Sequence, residues 1–320
     1  MENVSNNPLQ KHFRQPKLFI RLPSGGSYYP DGTFENNENM EFPIYPMTAK
    51  DEIMFKTPDA LLNGQSIVSV IENCVPNIKS GWMVPSIDID AILVAIRIAT
   101  YGDKMDLEFK IPNTNEERTF EIKLTPLLDT LTGQTYDSIV EYENLTFEIV
   151  PGNYKTFTEQ SLKTFEEQRL FATVNDDEIS DSDKLKIFNE SFGRLTDINI
   201  NSIFNQVKSI TVAGEQTVVN QSHIKEFLEN ASTQVYKALL DHIDIQRKKF
   251  QIKPFEITTT EEDRENGAPE SFTVPFTFDQ ANFYDPSICL NYASTRLPTY
   301  FFSSACETFA ATDKKWIRPN

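Results

Sequence analysis

At Gly102 the apolar period of this chain changes from that of a helix to that of a strand. Upstream lies the continuous apolar run Ala91-Ile92-Leu93-Val94-Ala95-Ile96, led in by Ser86 and Asp90 and reading as a buried helix. Downstream, Met105, Leu107, Phe109 and Ile111 alternate with Asp106, Glu108 and Lys110. After Pro112-Asn113-Thr114-Asn115, the residues Phe120, Ile122 and Leu124 alternate with Thr119, Glu121 and Lys123. Period 2 on both sides of a turn cluster predicts a β-hairpin. A two-stranded hairpin is marginal alone, so its apolar face must be buried against a helix or a partner. The helix ending at Gly102 is the local candidate.

The same order recurs further along. Residues 222–250 predict one amphipathic helix with Ile224, Phe227, Leu228, Val235, Leu239, Leu240 and Ile243 on its apolar face. Arg247-Lys248-Lys249 stand at its C-terminal end, where the helix dipole favours cations. Phe255 and Ile257 then open a strand, residues 261–269 form a polar turn, and Phe272, Val274, Phe276 and Phe278 alternate back. Pro275 makes that returning strand an edge or a bulged one. The expected fold class is therefore α+β, with two related helix–hairpin units that share few identities.

The remaining sequence divides around these units. Residues 1–50 are rich in Pro, Gly, Asn and aromatics and predict an extended N-terminal arm with short strands, including one over residues 42–46. Residues 51–150 hold the first unit, with Thr48 as a helix N-cap, Asp51 and Glu52 in the first turn, and a second helix from Pro58-Asp59 to Cys74. Residues 151–215 predict a mixed helical connection with helices over 158–168 and 182–193, separated by the acidic run 175–178. The second unit spans 216–283, and 284–320 form an irregular tail.

Net charge is −17 with a pI near 4.7. Duplex binding requires phosphate neutralisation by Lys and Arg, and anionic membranes attract basic segments, so neither nucleic acid nor membrane is an expected partner. The first ten residues lack the apolar core of a signal peptide, and the longest apolar run is too short to span a bilayer. Three cysteines (Cys74, Cys289 and Cys306) fit a reducing cytosol with free thiols.

Motifs for chemistry are sparse. His12, His223 and His242 make no His-x-x-x-His pair, and no Cys-x-x-Cys occurs, so the usual zinc spacings are missing. There is no Gly-x-Ser-x-Gly elbow and no phosphate-cradling glycine loop. Cys74 lies on an apolar helix face and reads as a buried, inert thiol rather than a nucleophile. Asp88-Ile89-Asp90 is the most suggestive acidic pair, but it lacks the later Gly and Glu of a calcium loop, and helix-start acids explain it more simply. No catalytic residue, cofactor or metal is expected. With 24 Phe and 11 Tyr, aromatic contact surface is plentiful. Tyr28, Tyr29, Tyr300, Phe301, Phe302 and Trp316 are the candidate interface residues.

The segments Leu22-Pro23-Ser24-Gly25-Gly26-Ser27-Tyr28-Tyr29-Pro30-Asp31-Gly32 and Phe42-Pro43-Ile44-Tyr45-Pro46-Met47-Thr48 resemble the opening of the baseplate hub family of T-even-like contractile-tailed phages. The likeness continues through Pro58-Asp59-Ala60-Leu61-Leu62-Asn63-Gly64, through 67–74 and through Ile87-Asp88-Ile89-Asp90 to Gly102, with further similarity over 216–283. It implies a non-enzymatic structural component or assembly chaperone of the baseplate hub, made in the host cytoplasm and acting by protein–protein contact. The implied partners are other tail and baseplate hub proteins, in a hetero-oligomer. Members of that family often carry cysteine pairs at the hairpin that suggest a zinc ribbon; Ile111-Pro112-Asn113-Thr114 has none. Among other classes, a carboxylate-dependent hydrolase is the alternative, and it requires a pocket with an acid of raised pKa.

Overall fold

The computed structural model describes residue 9 and residues 12–55, 64–114, 117–173, 180–214 and 216–274. The architecture is α+β, as the two periods predict. The chain forms two compact units: one takes its described residues from 1–81, 90–134 and 254–274, the other from 82–89 and 135–253.

In the first unit, strands β1 (Leu18–Ile20) and β2 (Phe42–Ile44) pair antiparallel. Pro43 is accommodated because each strand has only one partner. Helices α1 (Ala49–Phe55) and α2 (Gln65–Cys74) follow. The beginning of the expected second helix, Pro58 to Asn63, lies outside the described residues. Backbone bonds stitch the arm to this unit: Tyr45 N–H donates to the Cys74 carbonyl at 2.8 Å, and Glu35 N–H to that of Asn77 at 2.8 Å. Phe42, Ile44, Val70, Ile71 and Cys74 are fully buried.

Helix α3 (Ser86–Tyr101) carries the apolar run, and Ala91 through Ile96 are all buried. Arg97 is buried too, its guanidinium 4.5 Å over the Tyr101 ring. Gly102 ends the helix at φ +93°, which a residue with a Cβ rarely adopts. Strands β3 (Lys104–Lys110) and β4 (Glu117–Lys123) then form the expected hairpin, Met105 opposite Ile122 and Leu107 opposite Phe120. Helix α4 (Leu124–Thr132), which the alternation does not predict, follows without a break. Asp103 caps it by accepting from Thr125.

Strands β9 (Phe255–Thr258) and β10 (Ser271–Val274) make the second hairpin in this same unit, and the polar turn between them contains a short helix, α9 (Glu261–Glu265). Pro275, Phe276 and Phe278 lie outside the described residues. The two hairpins meet through a bidentate ion pair between Arg118 and Asp263 (2.6 and 2.9 Å) and an edge contact of Phe109 on Phe272 at 5.5 Å. Asp263 also closes a capping box with Thr260.

The second unit is built on a four-stranded antiparallel sheet in the order β5 (Ile139–Tyr142), β6 (Leu145–Ile149), β7 (Val207–Val212), β8 (Thr217–Val218). Between β6 and β7 the chain runs out and back as two helices, α5 (Tyr154–Thr173) and α6 (Asp181–Phe204), both longer than the sequence predicts. The acidic run 175–178 lies outside the described residues. Helices α7 (Gln221–Glu229) and α8 (Thr233–Phe250) supply Ile224, Leu228, Val235 and Leu239 to a core with Val140, Phe147, Ile149 and Ile210.

The single helix expected over 222–250 is thus two. Asn230 stops the first, its N–H donating back to the Phe227 carbonyl at 3.1 Å, and Ser232 opens the second in an extended conformation. Asn and Ser compete for backbone partners inside helices and favour their ends. The break is bridged by the Tyr236 hydroxyl donating to the Leu228 carbonyl at 2.8 Å. Leu240, expected on the apolar face, is 47% in solvent, because at 100° per residue it stands about 100° round the helix from the buried Leu239.

Candidate protein–protein interface

Tyr28 and Tyr29 sit in the arm just after a glycine turn. Gly25 N–H donates to the Leu22 carbonyl at 2.8 Å, and Gly26 has φ +78°. A Cβ on Gly26 would lie 2.8 Å from a ring carbon of Phe34, so the turn needs glycine there for space as well as for conformation. Tyr28 follows at φ +68° and is exposed. Tyr29 stacks on Phe34 with centroids 4.3 Å apart, and Phe34 leans on the buried Phe42 at 4.9 Å. Of the two tyrosines, then, Tyr28 presents the more open surface and Tyr29 anchors it to the core. Tyr300, Phe301, Phe302 and Trp316 lie outside the described residues, as do Cys289 and Cys306.

The arm is clasped by a residue that no motif reveals. Arg14 donates to the carbonyls of Pro46 and Asn73, both at 2.6 Å, and pairs with Asp51 at 3.5 Å. Asp51 is 1% exposed and accepts from Thr48 N–H, Thr48 Oγ1 and Asn73 Nδ2, each at 2.8 Å. The expected N-cap at Thr48 is real, and Asp51 returns its bond as the third residue of a capping box. Cys74 lies beside this cluster, fully buried. Burial, and next the Asp51 carboxylate, push its thiol up to about 12, although Arg14 acts the other way. Alkylation at pH 8 followed by peptide mapping is expected to leave Cys74 unmodified in the folded protein and to modify it in urea. Modification of the folded form would refute the inert-thiol reading.

A further group of exposed apolar residues lies on the α5–α6 pair. Leu185, Phe188 and Phe192 on α6 are 61%, 46% and 52% exposed, and Phe165 and Leu170 on α5 are exposed as well. Phe188 and Phe192 stack, with centroids 6.4 Å apart and planes 9° from parallel. The two helices are tied by Arg194, whose Nε and Nη2 reach Glu167 at 2.6 and 3.0 Å, and by Ser202 donating to Gln160 at 3.2 Å. The i, i+3, i+7 spacing of 185, 188 and 192 was the available sequence signal for this surface.

The groups that chemistry would need are scattered. His12 and His223 are exposed, and His242 Nε2 lies 2.8 Å from the Asp137 carbonyl. Among the described residues no cluster of His, Cys, Asp or Glu is arranged to hold a metal ion, and no helix is long and apolar enough to cross a membrane. Asp88 sits in the first turn of α3 and is buried. Several carboxylates are held below their ordinary range by hydrogen bonds: Asp103 from Thr125, Glu148 from Lys208, Glu167 from Arg194 and Asp263 from Thr260. These are acids tuned as ion-pair and capping partners, the opposite of what a general acid requires.

Comparison with known proteins gives one family. The family model described as "T4 bacteriophage base plate protein" matches residues 19–253, from within β1 to just past α8. No curated protein and no solved structure matches.

Proposed function

The chain belongs to the T4 bacteriophage base plate protein family, and from that premise we propose that it is a component or assembly chaperone of the central hub of a contractile-tail baseplate. It acts by protein–protein contact, with other hub proteins as partners in a hetero-oligomer. The observation that carries this is the family match across most of both units. The order of the arm, helix and hairpin segments supports the hub assignment within the family. Tyr28 and the exposed apolar residues of α6 suit a protein whose work is contact, since large apolar side chains exposed together mark interaction sites. A carboxylate-dependent hydrolase has no comparable support.

The test is affinity capture of the tagged chain from phage-infected cells, with mass spectrometry of the captured proteins and of purified virions. Co-capture of hub proteins is the expected result. Presence in virions identifies a structural part, and absence from them a chaperone that leaves. Capture of no baseplate protein at all would overturn the proposal.

A further inference from the structure

The exposed surface of α6 carries an uncharged lane. At 100° per residue, Leu185, Phe188, Asn189, Phe192, Gly193 and Thr196 fall on one side of the helix, and none of them is ionisable. Lys186, Glu190 and Asp197 border the lane along one edge and are exposed, as are all six lane residues. Arg194, the remaining charge of this stretch, pairs with Glu167 at 2.6 Å and with Glu190 at 3.9 Å.

Gly193 sharpens the point. Glycine inside a helix costs about 1 kcal/mol relative to alanine, and a Cβ here would meet nothing within 4 Å. The fold of one copy therefore gives no steric reason for glycine. A second helix laid along the lane would, because a missing side chain lets backbones approach closely. Leu185, Phe188 and Phe192 have the 3-4 spacing of a helix–helix seam.

The border charges select the occupant. They run from positive, at Lys186, through Glu190, which is paired with Arg194 of its own helix at 3.9 Å, to negative, at Asp197. A two-fold axis perpendicular to α6, passing between Ser191 and Phe192, places Lys186 of one copy opposite Asp197 of the other, twice over. The same operation brings the two Phe192 residues together at the axis and places each Phe188 opposite position 195 of the other copy. This is the self-complementarity that a two-fold interface requires. We propose that α6 is a homodimerisation surface that pairs antiparallel with α6 of a second copy, through Leu185, Phe188 and Phe192, with register fixed by Lys186 and Asp197. This goes beyond the baseplate assignment and does not depend on it.

Sedimentation equilibrium of the full chain tests it, from about 1 to about 100 µM in about 0.15 M salt, where repulsion between acidic copies is screened beyond roughly 8 Å. The mass is expected to rise from 36.7 kDa towards twice that value across the range. Phe188→Asp with Phe192→Asp should hold the chain at the monomer mass, with an unchanged far-UV spectrum showing that it folds. Lys186→Asp and Asp197→Lys alone should each weaken association at least tenfold, and the two together should restore it. A wild type that stays monomeric at the highest concentration overturns the proposal, even where α6 captures a different protein. So does a dimer indifferent to Phe188 and Phe192. Failure of the double charge swap to rescue overturns the register.

Discussion

Asp51→Ala is expected to cost about 3 kcal/mol or more of stability, the range seen when one member of a buried charge pair is removed. The carboxylate is 1% exposed and is the common acceptor for the Thr48 backbone and hydroxyl and the Asn73 amide, with Arg14 alongside. Its loss strips α1 of half its capping box, worth about 1 kcal/mol. It also leaves the Asn73 amide without this acceptor in a part-buried site, at about 1–3 kcal/mol. The Arg14 side chain is 28% exposed and keeps some water, which holds the total near the lower end. A fall in Tm of roughly 2–4 °C per kcal/mol should follow. Arg14→Ala should cost less, because it removes a partly hydrated donor and leaves the Asp51 carboxylate its three short bonds. Urea titration followed by circular dichroism measures both variants. An Asp51→Ala protein within about 0.5 kcal/mol of wild type would show that the clasp does not hold the arm.

That clasp also shows where sequence reading stops. Thr48 and Asp51 were legible as a helix start, because capping is local and depends on a three-residue spacing. The arginine that completes the cluster comes from 37 positions upstream in a polar arm, and no period or motif relates it to Asp51. The β3–β4 hairpin was legible for the same local reason: all seven residues of β3 alternate, and β4 alternates from Thr119 to Lys123. Strands β5 to β8 were not. β5 is four residues long, β6 five and β8 two, so none offers many repeats of period 2. The β5–β6 turn, Glu143-Asn144, lacks the Asn-Gly or Asp-Gly signal of a tight hairpin, although Glu143 adopts φ +53° there. In β7 Ser209 is polar yet buried, donating to Glu148 at 2.9 Å, and a bulge between Glu148 and Ile149 shifts the register. A buried polar residue and a register shift both erase the alternation that a reader looks for.

The candidate surface divides in the same way. Tyr28 stood out because glycine turns and aromatics were adjacent in sequence, and the structure gives Tyr28 and Tyr29 different roles through Phe34. The α6 lane was hidden because α6 carries two apolar stripes. One faces α5 and the other faces solvent, so the combined pattern reads as a mixed helix with a weak period rather than as two overlapping faces.

Phenylalanine itself supplies the sharpest contrast. Phe147→Ala is expected to cost about 3–5 kcal/mol, the usual range for deleting a buried ring. Phe147 is 0% exposed at the centre of β6, opposite Val140 and Ile210 across the strands and 6.2 Å from the Phe227 ring. A methyl in its place leaves a void that the sheet cannot close, because its neighbours on both sides are fixed by ladder hydrogen bonds, and the close-packed core relaxes only in part. Urea unfolding should show a lower midpoint with an unchanged slope, since the surface exposed on unfolding is nearly the same. Phe147→Leu restores most of the volume and should lose only about 1–2 kcal/mol. Phe188→Ala removes the same ring from a site 46% in solvent and should move stability by less than about 1 kcal/mol. If Phe188→Ala proved as costly as Phe147→Ala, its ring would be part of the core, and the α6 lane would lose its claim to be a surface for contact. If Phe147→Ala cost under about 1 kcal/mol, the sheet would not be the centre of its unit. The two residues are chemically identical and 41 positions apart, and burial alone decides that one holds the protein together while the other, half in solvent, contributes little to stability.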